Sequence, residues 1–256
     1  MRLGADIAAV VTGGGSGLGA ATARTLARRG VKVGLLDLDG AAAERVAAET
    51  GGLALPADVT DPASVAAALA KAAAAHGPAR LLVACAGIAT GARTVDREGR
   101  PHDAGIFGKV IAVNLLGTFH AATQAAAAMA TLNPVTPDGE RGVIVTTASV
   151  AAFEGQIGQI GYAASKGAVA AMTLPMARDL AAVGVRVVSI APGLFLTPML
   201  EGLPAETQAS LGKQVPFPAR LGKPSEYADL VVSIAENPML NGSVIRLDGA
   251  IRMGPR

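Results

Sequence analysis

The chain has one cysteine, Cys85, among its 256 residues, which excludes an internal disulfide framework. The expectation that follows is a reducing compartment and a cytoplasmic protein. Excess charge of one sign is also lacking: 22 Lys and Arg stand against 20 Asp and Glu, a formal net charge of +2. With the bases dispersed as well, a nucleic-acid surface is not expected. The mean hydropathy is +0.43, yet no stretch approaches the roughly 18 uninterrupted apolar residues of a membrane-spanning helix. Lys71, Gln124 and Arg178 break the most apolar windows. The first residues show neither an apolar segment with a small-residue cleavage site nor an Arg- and Ser-rich presequence. No metal is expected.

What is present is alternation. Short apolar runs read as strands at residues 7–11, 31–36, 53–56, 80–85, 143–147, 185–190 and 244–247. Helical patterns fill residues 18–29, 41–49, 62–76, part of 108–131, 161–182 and 225–236, with Asp61 as a cap and Pro62 at the first helical position. Strands of this kind do not alternate polar with apolar, so they predict a parallel sheet covered by helices on both faces. No linker divides the chain. A single α/β domain over residues 1–256 is expected, about seven strands, with a cofactor half to about 147 and a catalytic and substrate half from about 148. Three segments interrupt the rhythm. Residues 89–102 and 195–217 follow strands and are candidates for the rim of a site, whereas residues 133–141 read as a solvated loop.

The first strand runs into Thr12-Gly13-Gly14-Gly15-Ser16-Gly17-Leu18-Gly19 and then a helix. Glycines let a backbone approach a pyrophosphate, and a helix N-terminus offers that anion unpaired N–H groups. In this strand-to-helix setting the loop indicates a Rossmann-type, doubly wound dinucleotide fold. Asp37 ends the second strand, where a carboxylate accepts from both ribose hydroxyls and repels a 2′-phosphate. Gly14, Gly15 and Leu38 offer no positive charge to reverse that preference, so NAD is expected. Asp58-Val59 closes the third strand, with Asp58 either an adenine contact or a helix cap. Cys85-Ala86-Gly87 closes the fourth with small residues, and nothing near Cys85 argues for a reactive thiol.

Tyr162 and Lys166 stand four apart at the start of a helix and share one face. A nearby ammonium lowers the pKa of a phenol, which is otherwise near ~10 and a poor base. Ser149, just past the fifth strand, can hold a carbonyl or alcohol oxygen beside Tyr162.

Together the glycine loop, Asp58, Asn114, Ser149, Tyr162-x-x-x-Lys166 and Pro192-Gly193 resemble the short-chain dehydrogenase/reductases in order and over essentially the whole chain. The resemblance implies a proton relay in which Asn114 joins Lys166, and a Lys166 contact to the nicotinamide ribose. It also implies cofactor contacts at Leu18, Leu38, Val59, Pro192, Phe195 and Thr197. The family's usual Asn-Ala-Gly is Cys85-Ala86-Gly87 here. Residues 142–180, the run from Ala191 to Pro198 and the tail from Asn241 to Met253 are similar to one branch, the type 2 3-hydroxyacyl-CoA (17β-hydroxysteroid type 10) dehydrogenases, which Cys85 also fits. That branch implies homotetramers acting on 3-hydroxyacyl-CoA thioesters of fatty acid metabolism. A steroid or other bulky secondary alcohol is an alternative substrate, and an NAD-binding regulator or scaffold without turnover is an alternative role. Arg93, Arg97 and Arg100 are candidates for pairing with CoA phosphates, against the simpler reading of a solvated loop. Tyr162→Phe removes one oxygen and keeps the ring. It is expected to cut turnover by ~10²–10⁴-fold with cofactor binding nearly intact, as read by steady-state kinetics beside an NADH titration.

Overall fold

A computed structural model describes residues 1–202 and 204–255; Leu203, inside the predicted rim segment 195–217, and Arg256 lie outside the described residues. The strands are β1 (Ala8–Thr12), β2 (Lys32–Asp37), β3 (Leu53–Pro56), β4 (Leu81–Ala84), β5 (Gly142–Thr147), β6 (Val185–Pro192) and β7 (Val244–Leu247). They form one seven-stranded sheet in the order β3-β2-β1-β4-β5-β6-β7, and every pairing is parallel. All residues of β1, β4, β5 and β6 are buried, which explains their predominantly apolar sequences.

Alternate residues of each strand serve opposite cores. Ala9, Val11, Leu35, Val83 and Val145 face α1 (Gly17–Arg28), α2 (Gly40–Thr50) and α9 (Pro224–Glu236). Val10, Leu36, Leu82 and Ile144 face α3 (Pro62–His76) and the helix that runs from α4 (Ala104–Ile111) through a π turn (Ala112–Leu116) into α5 (Gly117–Ala130). The helix α6 (Ile160–Leu180) packs on β6 and α4. Alanines line much of the second core, which brings α3 and α5 close to the sheet and to each other.

Element boundaries depart from the sequence reading in physically traceable ways. Asp61 caps α3 as expected, its carboxylate accepting from the Ala63 N–H at 2.9 Å. The long helix starts at Ala104 rather than near residue 108 because Asp103 caps it, accepting from Gly105 and Ile106. From Ala104 to Ala130 it is 27 residues long and, by length and composition, apolar enough to cross a membrane. Lys109, Asn114, His120 and Gln124 interrupt it, and Asn114, Ala121, Ala122 and Met129 are fully buried in this fold. The rim segment 195–217 holds two short helices, α7 (Pro198–Glu201) and α8 (Ala205–Lys213), instead of open loop. Within 133–141, Glu140 and Arg141 are structural: Glu140 is buried against Arg186, and Arg141 donates to the Leu132 and Val183 carbonyls.

After β1 the chain builds outward to β3, then returns across the sheet through α3 to place β4 on the other side of β1. The connections leaving the carboxyl ends of β1 and β4 therefore diverge, and a crevice opens between them.

Candidate active site

The crevice is a cleft of about 660 Å³ along the carboxyl edge of the sheet. Its floor begins with the glycine loop. Gly13 has φ +64°, and a Cβ there would stand 2.8 Å from the Ala86 N. A Cβ on Gly19 would run into the Gly13 carbonyl oxygen, so α1 can turn back beneath the loop only without one. Ser16 caps α1 in extended conformation, but its side chain makes no cap hydrogen bond, and no acidic residue occupies the first turn. The N–H groups at this end of a twelve-residue helix thus keep their affinity for an external anion.

Asp37 is tied to the loop. Its two oxygens accept from Gly15 N at 2.9 Å and Asp39 N at 3.0 Å, which fixes the carboxylate at the cleft wall. Leu38 beside it is 76% exposed. Asp58 spends one oxygen on the backbone and hydroxyl of Thr60, both at 2.8 Å, and also lines the cleft. It is not the cap of α3, which is Asp61. Val59, Cys85, Ala86 and Gly87 continue the floor, and Pro192, Phe195 and Thr197 come over it from β6. Gly17, with φ +50°, sits under Thr197 and Pro198, so this segment passes directly across the loop. Every cofactor residue expected from sequence lines this one cleft.

Three of the four residues expected to be catalytic, Ser149, Tyr162 and Lys166, line its other end. Ser149 caps a 3₁₀ turn (Val150–Ala152), its hydroxyl accepting from Ala151 N at 3.1 Å. Tyr162 and Lys166 come from the first turns of α6, with the Lys166 Nζ 5.8 Å from the centre of the Tyr162 ring. Lys166 is buried and donates to the Thr147 carbonyl at 2.7 Å. Burial pulls its pKa down from 10.5 to about 8, with only a weak opposing pull from Cys85. The expectation that Lys166 lowers the Tyr162 pKa is not met. Burial raises it, and the opposing contribution is a hydrogen bond with Ser149. Burial also pushes the Cys85 thiol up, which keeps it from acting as a nucleophile at neutral pH.

Asn114 does not line the cleft. It is fully buried in the π turn and grips Ile88 from both sides, accepting from its N–H at 2.8 Å and donating to its carbonyl at 2.9 Å. Its amide also donates to the Ser165 hydroxyl at 3.1 Å. It meets Lys166 across Gly87, where a Cβ would stand 3.2 Å from Asn114 Oδ1 and 3.6 Å from Lys166 Nζ.

Sequence reasoning missed Thr147, Lys109, Gln156, Gln159, Leu200 and Met253, all of which face the cleft. The tail gave the least warning. Gly249 and Ala250 both take positive φ, turning the chain back. Glu154 then accepts from Met253 N at 3.0 Å and from two Arg246 nitrogens at 2.8 and 3.2 Å. Ile157 N donates to the Pro255 carbonyl at 3.0 Å. Arginine pairing holds the Glu154 carboxyl below its ordinary range. Conversely, the rim segment 89–102 touches the cleft only at Ala89. Arg100 is paired with Asp96 and Glu98, whereas Arg93 and Arg97 are exposed and form no ion pair among the described residues.

Residues 7–208 match the family described as short chain dehydrogenase. The chain belongs to that family. It is 52% identical over 252 residues to the human 3-hydroxyacyl-CoA dehydrogenase type-2, covering 97% of this chain and 96% of that protein. The crystal structure of the type-2 enzyme from Mycobacterium avium covers both chains fully at 40% identity and TM-score 0.94. A 7α-hydroxysteroid dehydrogenase complexed with NADH and 7-oxo glycochenodeoxycholic acid matches 100% of this chain and 97% of its own, at 28% identity and TM-score 0.87. The protein is an oxidoreductase enzyme of this family, and its glycine loop and uncapped α1 fit a nicotinamide dinucleotide.

Because the folded pKa of Lys166 lies below 10.5, the unfolded chain holds one more proton between about pH 8 and 10.5. Stability from this group is lowest below pH 8 and rises through that window. Urea midpoints of the cofactor-free protein should therefore rise with pH relative to those of Lys166→Met, and parallel curves would contradict the assigned burial.

Proposed function

We propose that the protein interconverts 3-hydroxyacyl-CoA and 3-ketoacyl-CoA with NAD(H). The observation that carries this reading is the convergence of Ser149, Tyr162 and Lys166 on one end of the dinucleotide cleft, in a chain 52% identical over nearly its full length to a 3-hydroxyacyl-CoA dehydrogenase type-2. The nicotinamide, when bound, supplies or accepts the hydride. The chain's own groups handle the oxygen and its proton. Ser149 holds the substrate oxygen beside the Tyr162 hydroxyl. For reduction, the buried Tyr162 phenol, protonated at neutral pH, hands its proton to the forming alkoxide. For oxidation it must first lose that proton, and the adjacent Lys166 ammonium is the charge that stabilises the phenolate. Thr197, Phe195 and Pro198 cover the loop end and exclude water there.

NAD(H) rather than NADP(H) is supported by charge. Asp37 is fixed at the wall where the ribose diol belongs, and the basic side chains lining the cleft, Lys109 and Lys166, come from the helices on the far side of β4. A 2′-phosphate would meet a carboxylate without a compensating cation. With Arg100 paired elsewhere, Lys109 is the exposed base on the cleft wall available to a CoA phosphate. A bulky alcohol such as a steroid is the second reading, supported by the apolar lining of Val113, Leu194, Leu200 and Met253 and by the steroid relative above. A homotetramer, as the family resemblance implies, is supported by the exposed Leu116, Phe119 and Ile160 on and beside the α4–α5 helix. A reducing, cytoplasmic setting in fatty acid metabolism agrees with the single buried thiol.

Following NADH absorbance with acetoacetyl-CoA, acetoacetate and a steroid ketone tests the substrate. Acetoacetyl-CoA is expected to give the highest kcat/KM by at least tenfold. A steroid preference would establish the second reading, and turnover of none would leave a binder without catalysis. For the cofactor, NAD should exceed NADP in kcat/KM, and Asp37→Ala should raise the NAD KM and narrow that ratio. Equal values in the unmutated protein would refute the assignment.

A further inference from the structure

Tyr227 of α9 is fully buried and lies 61 residues beyond Lys166, in a helix that lines no part of the cleft. Its hydroxyl nevertheless ends beneath the catalytic floor, 2.7 Å from the Thr147 hydroxyl. That hydroxyl is in turn 2.6 Å from the Ala84 carbonyl. A carbonyl only accepts, so Thr147 donates to Ala84, and its oxygen accepts from Tyr227. The Tyr227 oxygen is left to accept from the Cys85 thiol at 3.6 Å. The direction of the whole chain is thus set by one acceptor at its end.

The position of this chain is what gives it a role. Pairing between β4 and β5 stops at Ala84↔Thr146, where the strands part to open the cleft. Thr147 is the next residue, and its hydroxyl supplies the donor that the Ala84 carbonyl finds there. The Thr147 carbonyl is the acceptor for Lys166 Nζ at 2.7 Å, the one protein hydrogen bond of that ammonium among the described residues. A phenylalanine would fill the space under the sheet as well as Tyr227 does, and burying a hydroxyl is costly without a partner. We propose that Tyr227 is a positioning residue for the dehydrogenase reaction: through Thr147 it fixes the carbonyl that aims Lys166 at Tyr162 and at the cofactor.

The inference rests on the proton chemistry of Tyr162 and Lys166 and not on the acyl-CoA substrate, so any secondary alcohol the enzyme oxidises serves in its test. The titratable groups facing Lys166 are Tyr162 on its own helix, Cys85 after β4 and, behind Cys85, Tyr227 on α9. If the aim of Lys166 is loosened, the phenolate of Tyr162 loses stabilisation, and the rise of oxidation rate with pH moves to higher pH.

The experiment compares Tyr227→Phe, Thr147→Val, Thr147→Ser and the Tyr227→Phe/Thr147→Val double variant. Each is measured for kcat of alcohol oxidation across pH, KM for NAD and melting temperature. Tyr227→Phe and Thr147→Val should each lower kcat at neutral pH by about three- to tenfold and move the pH profile upward by about half a pH unit or more. Thr147→Ser, which keeps the hydroxyl, should restore the pH profile that Thr147→Val displaces, whatever the change in kcat. The double variant should be no worse than either single one, because both remove the same link. A Tyr227→Phe enzyme with a lower melting temperature but an unmoved pH profile would overturn the proposal and leave Tyr227 a packing residue. Additive losses in the double variant would overturn it too. Should Tyr227→Phe fail to fold, the decision passes to the Thr147 pair: superimposable profiles for Thr147→Val and Thr147→Ser refute the link, and separated ones support it.

Discussion

Both faces of the sheet are covered, so polar chemistry is confined to its edges. Burial of β1, β4, β5 and β6 on two sides favours apolar residues, and the one charged residue in these strands, Arg186 near the start of β6, is paired with the buried Glu140. At the carboxyl edge, where β1 and β4 lead away in opposite directions, backbone donors and carboxylates line an open cleft. The glycine loop, Asp37, Asp58, Ser149 and the β6 segment all occur at that edge for this one reason. Helix α6 brings Tyr162 and Lys166 to it from the side.

Within the edge, two kinds of electrostatic environment are kept apart. The dinucleotide end offers fixed partial charges: the free N–H groups of α1 and a carboxylate held by two backbone donors. These need no titration to do their work. The catalytic end instead holds ionisable groups in apolar surroundings, and burial moves them in opposite directions. The Lys166 ammonium is brought down to about 8 and the Tyr162 phenol is raised. Each shift disfavours the charged form. The site therefore favours the protonated phenol as donor, while the phenolate needs a nearby positive charge at the time of reaction. Such a site costs folding stability, as functional sites commonly do.

Much of this was legible in the sequence because it rests on local rules. Uninterrupted strands, the glycine loop between strand and helix, and the four-residue spacing of Tyr162 and Lys166 each carry their own structural meaning. Long-range hydrogen bonding was not legible. Nothing in the neighbourhood of Tyr227 or Glu154 announces that one reaches Thr147, 80 residues away, and the other Met253, 99 away. The direction of the Tyr162 shift failed for the same reason: spacing shows that an ammonium is near but not how thoroughly both groups are buried. The arginines of 89–102 looked available as charges in sequence. Asp96 and Glu98, only a few residues from Arg100, fold the segment into a small turn and use one of them up.

The Glu154 clasp bears on how the enzyme comes into being on the ribosome. The glycine loop, Asp37, Ser149, Tyr162 and Lys166 are all made before residue 170, but Met253 and the Glu154 partners Arg246 and Arg252 lie far beyond it in sequence. The part of the cleft wall that Met253 forms cannot close until synthesis has passed it. Helix α9, which packs on α1, also arrives late. Contacts of such wide sequence separation form slowly and leave apolar surface uncovered in the interval. Met253 thus lines the cleft from a segment remote in sequence, so a substitution at Arg246 or Arg252 acts on the cleft wall as directly as one within it.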